Sequence, residues 1–570
     1  MMLNQSKNKT NPTLGLLRTT LQKNIGSIVL LSVAMLIFCP GFLITTLSQT
    51  TLRPEDYTSP DALNAVYSIT VTLSCIFVCI ANYVNFSYLY KKSSSDVFGA
   101  LPLTRTGMLF SRAAAGFTGV LIPVTIGYVA LAFLNLHYPA YAIGTVAQIA
   151  SAYLVNILLM LAFSGFSLIF IICAGSGFDL VLSFGGFNIA ALATGAIIHG
   201  LCDSYLSGYS DEFTGFLRLF SPIYYLTELG ILFADGNYTL KGAGDIIFGI
   251  LKYAVAFFIA APLLYRFRKA ERGEQAYAYK FLYIVCGVLA GICGGYALSE
   301  IFIFAADTKE YSLIGFITFI LGALLTTVIY GAVTDRGFKG FKKSMAVGGI
   351  SVVIYALIAV IILSGAFGFE KRIPEANKVT AVTIGFDNTF YDFEDAGDAM
   401  ALHKAIIEKG ADGEYRDEVD EPHEYIDIKY TLKGDKEMFR RYFVKLSAVK
   451  SELFKVYSSD ERFDDIYKFI GKSKTGKFEI WGDYAGIGED SFGLNSMVSQ
   501  AEINDIIAVY KKELLKLGED IFTEAKQTNK VADITIELQD ENVYDRISIY
   551  TTADFTETNK ILREFIEFEE

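Results

Sequence analysis

Residues 345–386 read MAVGGISVVIYALIAVIILSGAFGFEKRIPEANKVTAVTIGF. The first 25 of these residues carry no charge, and as a helix they are long enough to cross the hydrocarbon core of a bilayer. From Glu370 onward charged residues and a proline appear, and Val379–Phe386 then shows the β-branched alternation of a strand. The stretch therefore predicts that a membrane span ends here and that a water-soluble domain begins.

The two sides of this junction differ in charge. Residues 370–570 hold 27 basic and 44 acidic residues, a net charge of −17, whereas residues 1–369 hold 22 and 17, a net charge of +5. The hydrophobic fraction of 52% and the mean hydropathy of +0.38 are therefore averages over two unlike regions. This asymmetry excludes a uniform globular chain. It predicts a polytopic all-α membrane region followed by an α+β soluble domain.

The N-terminal region contains nine apolar stretches, each of a length that can span a membrane. We therefore expect about nine transmembrane helices. They are predicted at 25–47, 64–87, 110–134, 145–174, 180–202, 246–265, 281–304, 312–333 and 345–367.

Basic residues predict the orientation, because short loops rich in Lys and Arg stay on the cytoplasmic side. Seventeen of them lie before the first span and in or beside alternate loops, and four lie in the opposite loops. We therefore expect a cytoplasmic N-terminus and, after nine spans, an extracytoplasmic domain at 370–570. Lys371 and Arg372 directly follow the last span on the predicted outer side, which is the opposite of what the distribution of basic residues predicts.

Within 370–570, segments with strand-like alternation are mixed with amphipathic helical segments, which predicts an α+β domain of one or two subdomains. The predicted strands are Val379–Phe386, Tyr425–Leu432, Lys477–Tyr484, Val531–Leu538 and Val543–Tyr550. The predicted helices are Asp398–Lys409, Lys436–Ser447, Glu502–Lys516 and Thr556–Glu567.

Two groups of small residues share helix faces inside the spans. Cys75 and Cys79 have no His or carboxylate neighbours in the sequence, so they indicate packing residues rather than a metal site. Gly287, Gly291 and Gly295 form a stripe that permits close helix packing. We expect this stripe to pack against spans eight and nine, the alternative being a partner protein.

The loop at 88–117, YLYKKSSSDVFGALPLTRTGMLFSRAAAGF, contains a short helical segment between basic ends. Ser94, Ser95 and Asp96 offer N-caps, which predicts a helix over Val97–Leu101 that Pro102 stops. Thr104 is then expected to start the next helix. Such a short surface helix suits a cytoplasmic partner, and a compact loop is the alternative.

This loop resembles the equivalent loop of bacterial ABC-2-type transporter permeases, in a subgroup that carries a C-terminal extracytoplasmic domain of unknown function. The resemblance implies an interfacial elbow segment at 1–24, a six-helix permease unit at 25–265 and three additional spans at 266–369. The amphipathic pattern of residues 11–23 fits the elbow helix, with an ordinary basic tail as the alternative. The matching residues are Tyr90, Lys91, Lys92, Asp96, Leu101, Pro102, Leu103, Thr104, Arg105, Leu109 and Arg112.

The resemblance also implies a function. The chain is expected to be the permease subunit of an ABC transporter, an exporter in the bacterial cell membrane. Its implied partners are an ABC ATP-binding subunit that holds ATP and Mg, a second permease copy or homologue, the lipid bilayer and an unknown substrate, with no nucleic acid. The residues implied to couple the chain to the ATPase subunit are Asp96, Val97, Phe98, Leu101, Pro102, Leu103, Thr104 and Arg105.

We expect no ATPase site, cofactor or metal in this chain itself. The stretch from Gly471 to Lys477 has the glycine and lysine spacing of a phosphate-binding loop, but Phe478 follows it where a Ser or Thr should bind Mg²⁺. A basic hairpin turn is the better interpretation. The alternatives to a transporter are a membrane-anchored sensor or accessory protein whose outer domain binds a ligand, and a membrane-embedded enzyme.

Ionisable residues are rare inside the predicted spans, where only Lys252 and, near an outer end, Glu300 occur. Charge inside a bilayer is costly, so both are candidates for an outward substrate path. The alternative is that they reach solvent or pair with each other. Uncharged polar residues in the spans are Asn82, Asn85, Asn156 and Asn188.

Overall fold

The structure is a computed structural model. It forms two compact units, one built from 1–198 and 214–357 and the other from 199–213 and 358–570. The residues it describes are 12–41, 59–137, 145–210, 223, 251–253, 255–306, 313–386, 389–409, 423–434, 436–473, 476–483, 496–523, 530–538 and 546–565.

The N-terminal region is helical. A bend of 60° separates α1 from α2 at Asn24. A π-helical turn, Ala256–Ala260, leads directly into α8. The helices are α1 (Pro12–Lys23), α2 (Ile25–Phe38), α3 (Ser59–Phe86), α4 (Lys92–Gly99), α5 (Arg105–His137), α6 (Val146–Cys173), α7 (Gly177–Tyr205), α8 (Ala261–Phe267), α9 (Lys280–Ala306), α10 (Leu313–Thr334) and α11 (Phe341–Leu363).

Among the described residues, seven helical stretches are long and apolar enough to cross a membrane, and the bent pair α1–α2 would make an eighth. They fall on predicted spans two to five and seven to nine. The end of the first predicted span and the start of the sixth lie outside the described residues, so nine spans remain a prediction. The stretches are Val66–Tyr90, Arg105–His137, Val146–Cys173, Gly177–Tyr205, Lys280–Ala305, Leu313–Thr334 and Phe338–Leu363.

The glycine stripe of α9 packs inside the chain, as predicted. A Cβ atom added at Gly287 or Gly291 would meet side chains of both α10 and α11, and one at Gly295 would meet the Phe319 ring of α10. Since helices in lipid gain by close van der Waals contact, the missing side chains let α9 and α10 approach each other closely.

The second unit contains two antiparallel four-stranded sheets, in the orders β2-β1-β3-β4 and β6-β5-β7-β8. The strands are β1 (Val379–Phe386), β2 (Thr389–Phe393), β3 (His423–Leu432), β4 (Lys436–Lys445), β5 (Lys477–Asp483), β6 (Ser496–Ser499), β7 (Lys530–Leu538) and β8 (Arg546–Thr552). The helices are α12 (Gly397–Lys409), α13 (Leu446–Tyr457), α14 (Asp460–Gly471), α15 (Gln500–Leu517) and α16 (Thr556–Leu562).

The two sheets repeat one topology, a hairpin, a helix, a second hairpin and a further helix. One apolar core receives side chains from both halves. The edge strands β2 and β8 meet through side chains. The Ser548 N–H donates to Thr389 Oγ1 (2.8 Å), and the Tyr391 hydroxyl donates to the Ser548 carbonyl (3.2 Å).

Two sequence interpretations in this unit are wrong. The helix predicted over Lys436–Ser447 is strand β4 followed by α13, because pairing with β3 buries alternate residues from Arg440 to Val444. The turn predicted as a hairpin joins α14 to β5, with Gly476 at φ 66°. That order, helix before strand, is the reverse of a phosphate-binding loop.

Candidate functional site

The loop at 88–117 forms a short helix that starts earlier than predicted. After the 3₁₀ helix Ser87–Tyr90, Lys91 is extended and α4 begins at Lys92 without a side-chain cap. Ser94, Ser95 and Asp96 therefore lie within the helix, so the predicted capping is wrong. Helix α4 ends at Gly99, and Leu101, Pro102 and Leu103 form the turn that leads to α5.

The start of α5 is as predicted. The Gly107 N–H donates to the Thr104 hydroxyl oxygen (3.1 Å), so Thr104 caps the helix. This bond satisfies one of the main-chain donors that a helix N-terminus leaves without a partner in its own helix.

Phe98 attaches α4 to the membrane helices. Its ring lies against the Tyr88 ring, with centroids 4.6 Å apart. The Arg112 guanidinium lies over both rings, 4.3 Å from the Tyr88 centroid and 4.4 Å from the Phe98 centroid. Arg112 donates to the Asn85 carbonyl, and the Asn85 amide donates to the Arg112 carbonyl (3.2 Å). Phe98 of α4 is thus linked to both α3 and α5 through the buried guanidinium of Arg112.

Two further arginines bind the ends of neighbouring helices. Arg105 Nη1 donates to the carbonyls of Arg266 (2.9 Å) and Arg268 (2.8 Å), next to the end of α8. The buried Arg268 side chain donates to four carbonyls, those of Leu89 (2.9 Å), Ile171 (3.2 Å), Ile172 and Ala174 (2.9 Å). The last carbonyls of a helix lack partners within it and carry partial negative charge, so a guanidinium is well matched to them.

The loops after α6 and α8 pair with each other. The Gly175 N–H donates to the Ala276 carbonyl (3.2 Å), and the Glu274 N–H donates to the Gly175 carbonyl (3.0 Å). A Cβ atom at Gly175 would collide with the Gln275 carbonyl, so only glycine fits there. The Lys92 N–H donates to Glu274 Oε1 (3.4 Å). We call residues 87–105, 173–176 and 266–280 together the loop cluster.

The solvent-exposed surface of the loop cluster combines apolar and charged side chains. Val97 is 67% exposed and Leu101 37%, whereas Phe98 is half-buried. Asp96 is exposed, as are the basic residues Lys91, Lys92, Arg105, Arg266 and Lys269. Val97 is thus accessible from solvent, while Phe98 of the same helix is held against Tyr88. The arrangement is suited to binding rather than to bond chemistry.

The two candidate substrate-path residues lie on different helical segments. Lys252 is exposed, one turn before the π-helical turn that packs on α6. Glu300 is half-buried on α9, which packs on α10. A shared path for them stays a prediction.

Three of the four asparagines named from the sequence form hydrogen bonds between α3 and neighbouring helices. Asn156 Oδ1 accepts from the Ser74 hydroxyl (2.7 Å), and the Asn82 amide donates to the Ser164 hydroxyl oxygen (3.0 Å). The Asn24 amide donates to Asn85 Oδ1 (2.9 Å). The fourth, Asn188, donates to the Phe184 carbonyl of its own helix (2.7 Å).

Sequence reasoning missed Arg268, Glu274 and Gly175. In the sequence Arg268 is one of five basic residues in or beside one loop, and nothing in the composition separates it, as the buried one, from the other four. Within the part of the chain that the structure describes, no group of three or more His, Cys, Asp or Glu side chains could hold a metal ion.

Comparison of the chain with known protein families, with curated proteins and with solved structures finds no match.

Proposed function

We propose that the chain is the membrane-spanning permease subunit of an ABC transporter, an exporter driven by ATP hydrolysis in a separate subunit. The observation that carries the proposal is the construction of α4. Its Val97 is exposed to a partner, while its Phe98 is held between Tyr88 and Arg112 on the membrane helices. When a bound protein displaces α4, the contacts of Phe98 pass that displacement to the membrane helices.

In this proposal the loop cluster converts closure of the ATPase subunits into movement of the spans. A displacement of α4 acts through Arg112 on α3 and α5. Arg105 and Arg268 carry the same displacement to the ends of α8 and α6. Rigid-body rocking of packed helices between two states is an established way to alternate access. A second permease copy would complete the path.

The proposed topology has nine spans, a cytoplasmic N-terminus and an extracytoplasmic 370–570. Contacts inside the second unit support it. The Ser207 N–H, just after α7, donates to Glu370 Oε1 (3.2 Å). Gly208, at φ 72°, lies so close to Tyr442 that a Cβ atom would collide with the ring. The segment after predicted span five thus touches the segment after predicted span nine, so both lie on the same side of the membrane, as nine spans require; the choice of the outer side depends on the basic residues of the loops.

Co-purification tests the proposal. Val97→Asp places a charge in the proposed contact and is expected to reduce recovery of an ATP-hydrolysing subunit with the tagged chain at least about tenfold, a loss of roughly 1.4 kcal/mol of binding. The matched control is Phe338→Asp, at a 72% exposed aromatic residue between α10 and α11. It is expected to leave recovery unchanged.

Recovery of no ATPase with the unaltered chain, or equal effects of the two variants, would contradict the permease proposal. The first outcome would favour a sensor or accessory protein whose second unit binds a ligand. The contacts of Ser207 and Gly208 with the C-terminal region would serve such a protein as well.

A further inference from the structure

The first unit contains a cavity of about 490 Å³ lined by residues of α3, α6 and α7 and by Ile223. The α3 wall runs from Thr72 to Tyr83 and includes both Cys75 and Cys79. Eleven residues of helix rise about 16 Å. The small side chains of the two cysteines help to leave this space open.

The wall offers almost nothing to a polar ligand. The Ser167 hydroxyl donates to the Ser164 carbonyl (3.0 Å) and accepts from the Asn82 amide (3.2 Å). The Cys79 thiol donates weakly to the Phe163 carbonyl (3.9 Å). Since these polar groups of the wall are used within the protein, they offer few further hydrogen bonds to water or to a polar solute.

The chemistry of the wall favours an alkyl chain as the occupant. A polymethylene chain has no polar atom that needs a hydrogen bond, so an almost wholly apolar wall costs it nothing. Carbon atoms pack at about 4 Å, so such a chain can run along the wall in contact with the side chains of all three helices.

The rim of the cavity is formed by side chains that would face lipid. Ile76 and Ile80 on α3 are 50% and 49% exposed, and Val181 on α7 is 72% exposed. All three lie within helices of membrane-spanning length. In a bilayer, the medium at this rim is hydrocarbon.

We propose that this cavity is a binding site for a single long alkyl chain of an amphiphile drawn from the surrounding bilayer. The proposal does not depend on the proposed function, because binding is measured without any ATPase subunit. If the chain is a permease, the same site makes long-chain amphiphiles the class of cargo to test first.

Gly185 and Gly186 on α7 provide a matched pair of variants. Neither has an atom near the position of an added Cβ, but only Gly185 lines the cavity. Gly185→Phe fills the cavity from its wall, whereas Gly186→Phe adds the same ring at the neighbouring position on the helix. Gly185→Leu is a smaller filling variant, to be used where the phenylalanine prevents folding.

The experiment uses the full chain in nanodiscs of phosphatidylethanolamine and phosphatidylglycerol that contain palmitate with a photoreactive diazirine. After irradiation we expect label in peptides covering 72–83, 163–171 and 180–185, suppressed by excess palmitate but not by hexanoate. Gly185→Phe is expected to lower this label at least about tenfold, while Gly186→Phe changes it less than about twofold.

Equal labelling of the two variants would overturn the proposal. So would label that excess palmitate does not suppress and that spreads over the exposed face of α10, since such label reports only general contact with lipid. Cross-linked dimers joined through the cavity peptides would assign the space to a second copy instead and would also overturn it.

Discussion

The loop cluster of the first unit and the core of the second unit are held together by different interactions. In the second unit one continuous apolar core contains both sheets, with Leu453, Phe478 and Ile506 almost fully buried. In the loop cluster, by contrast, packed aromatic side chains are accompanied by hydrogen bonds from the guanidinium groups of Arg105 and Arg268 to main-chain carbonyls.

The difference follows from the solvent. Apolar side chains of the second unit would otherwise be exposed to water, so burial alone stabilises their packing. An apolar side chain on a membrane helix has lipid as its alternative, which is just as apolar, so its burial selects no particular arrangement. Apolar burial between the spans therefore leaves their arrangement open, and the hydrogen bonds of Arg105 and Arg268 at the helix ends define how the helices are joined.

The largest effect is expected from Arg268→Met. The variant leaves carbonyls at two helix ends without a buried donor, which is expected to cost about 5 kcal/mol, since each bond to a charged group contributes about 1.5–3 kcal/mol. The midpoint of the loss of helical circular dichroism on heating the full chain in detergent measures the change. The single tryptophan, Trp481 in β5, reports separately on the second unit.

Arg266→Met is the control for this variant, because the Arg266 side chain is exposed and lies two residues away. It is expected to change stability by less than about 0.5 kcal/mol. Equal circular-dichroism midpoints for Arg268→Met and Arg266→Met would show that the Arg268 hydrogen bonds do not stabilise the first unit. If Arg268→Met shifted the Trp481 transition as much as the circular-dichroism midpoint, the two units would not be stabilised separately, which would also contradict the comparison.

A somewhat smaller effect is expected from Ile506→Ala in the core of the second unit. Ile506 is fully buried on α15, and removal of its side chain is expected to cost about 4 kcal/mol through lost burial and an added cavity. Urea unfolding followed by Trp481 fluorescence measures this cost. Leu515→Ala, at a 55% exposed position of the same helix, should cost less than about 0.5 kcal/mol, and an equal cost at both sites would contradict the assigned core.

The smallest effect concerns pH. His403 is buried between the hydroxyls of Tyr430 (2.9 Å) and Tyr442 (2.8 Å). Burial, together with the Arg440 guanidinium, lowers the pKa of His403 to about 4. An unfolded histidine has a pKa of about 6.5, so between these values the unfolded chain binds the proton more strongly. The second unit should lose stability as the pH falls from about 6.5 toward 4, by roughly 2–3 kcal/mol.

Measurement of the Trp481 urea midpoint at pH 7 and pH 4.5, for the wild type and His403→Gln, isolates this contribution. Glutamine can still bond to a tyrosine hydroxyl but does not titrate in this range. We expect a flatter pH dependence in the variant. Parallel curves for the two proteins would show that His403 is not the titrating group.

The sequence predicts the membrane helices well because their length and hydropathy are local properties. The strand-containing domain after 370 is also predicted, but Lys436–Lys445 is assigned wrongly, since Met438, Phe439, Tyr442 and Phe443 have a helical spacing. This segment forms a strand because it pairs with β3, and that tertiary contact is not visible in the local sequence.

The candidate site is predictable only in part. The motif around Asp96–Arg105 locates the loop. The anchoring of Phe98 depends on Tyr88 and Arg112, which contact it only in the folded chain. The spacing of Cys75 and Cys79 shows that they share a helix face. It contains no information on how far α7 lies from α3, and therefore none on the cavity.

The contact between β2 and β8 has a consequence for association between molecules of the folded protein. A bare edge strand exposes main-chain donors and acceptors that can recruit a strand from another molecule and start aggregation. Thr389 and Tyr391 occupy the main-chain N–H and carbonyl of Ser548 with side-chain groups. The contact with β2 thereby leaves fewer free main-chain groups on the edge of β8 at which a fibril could begin.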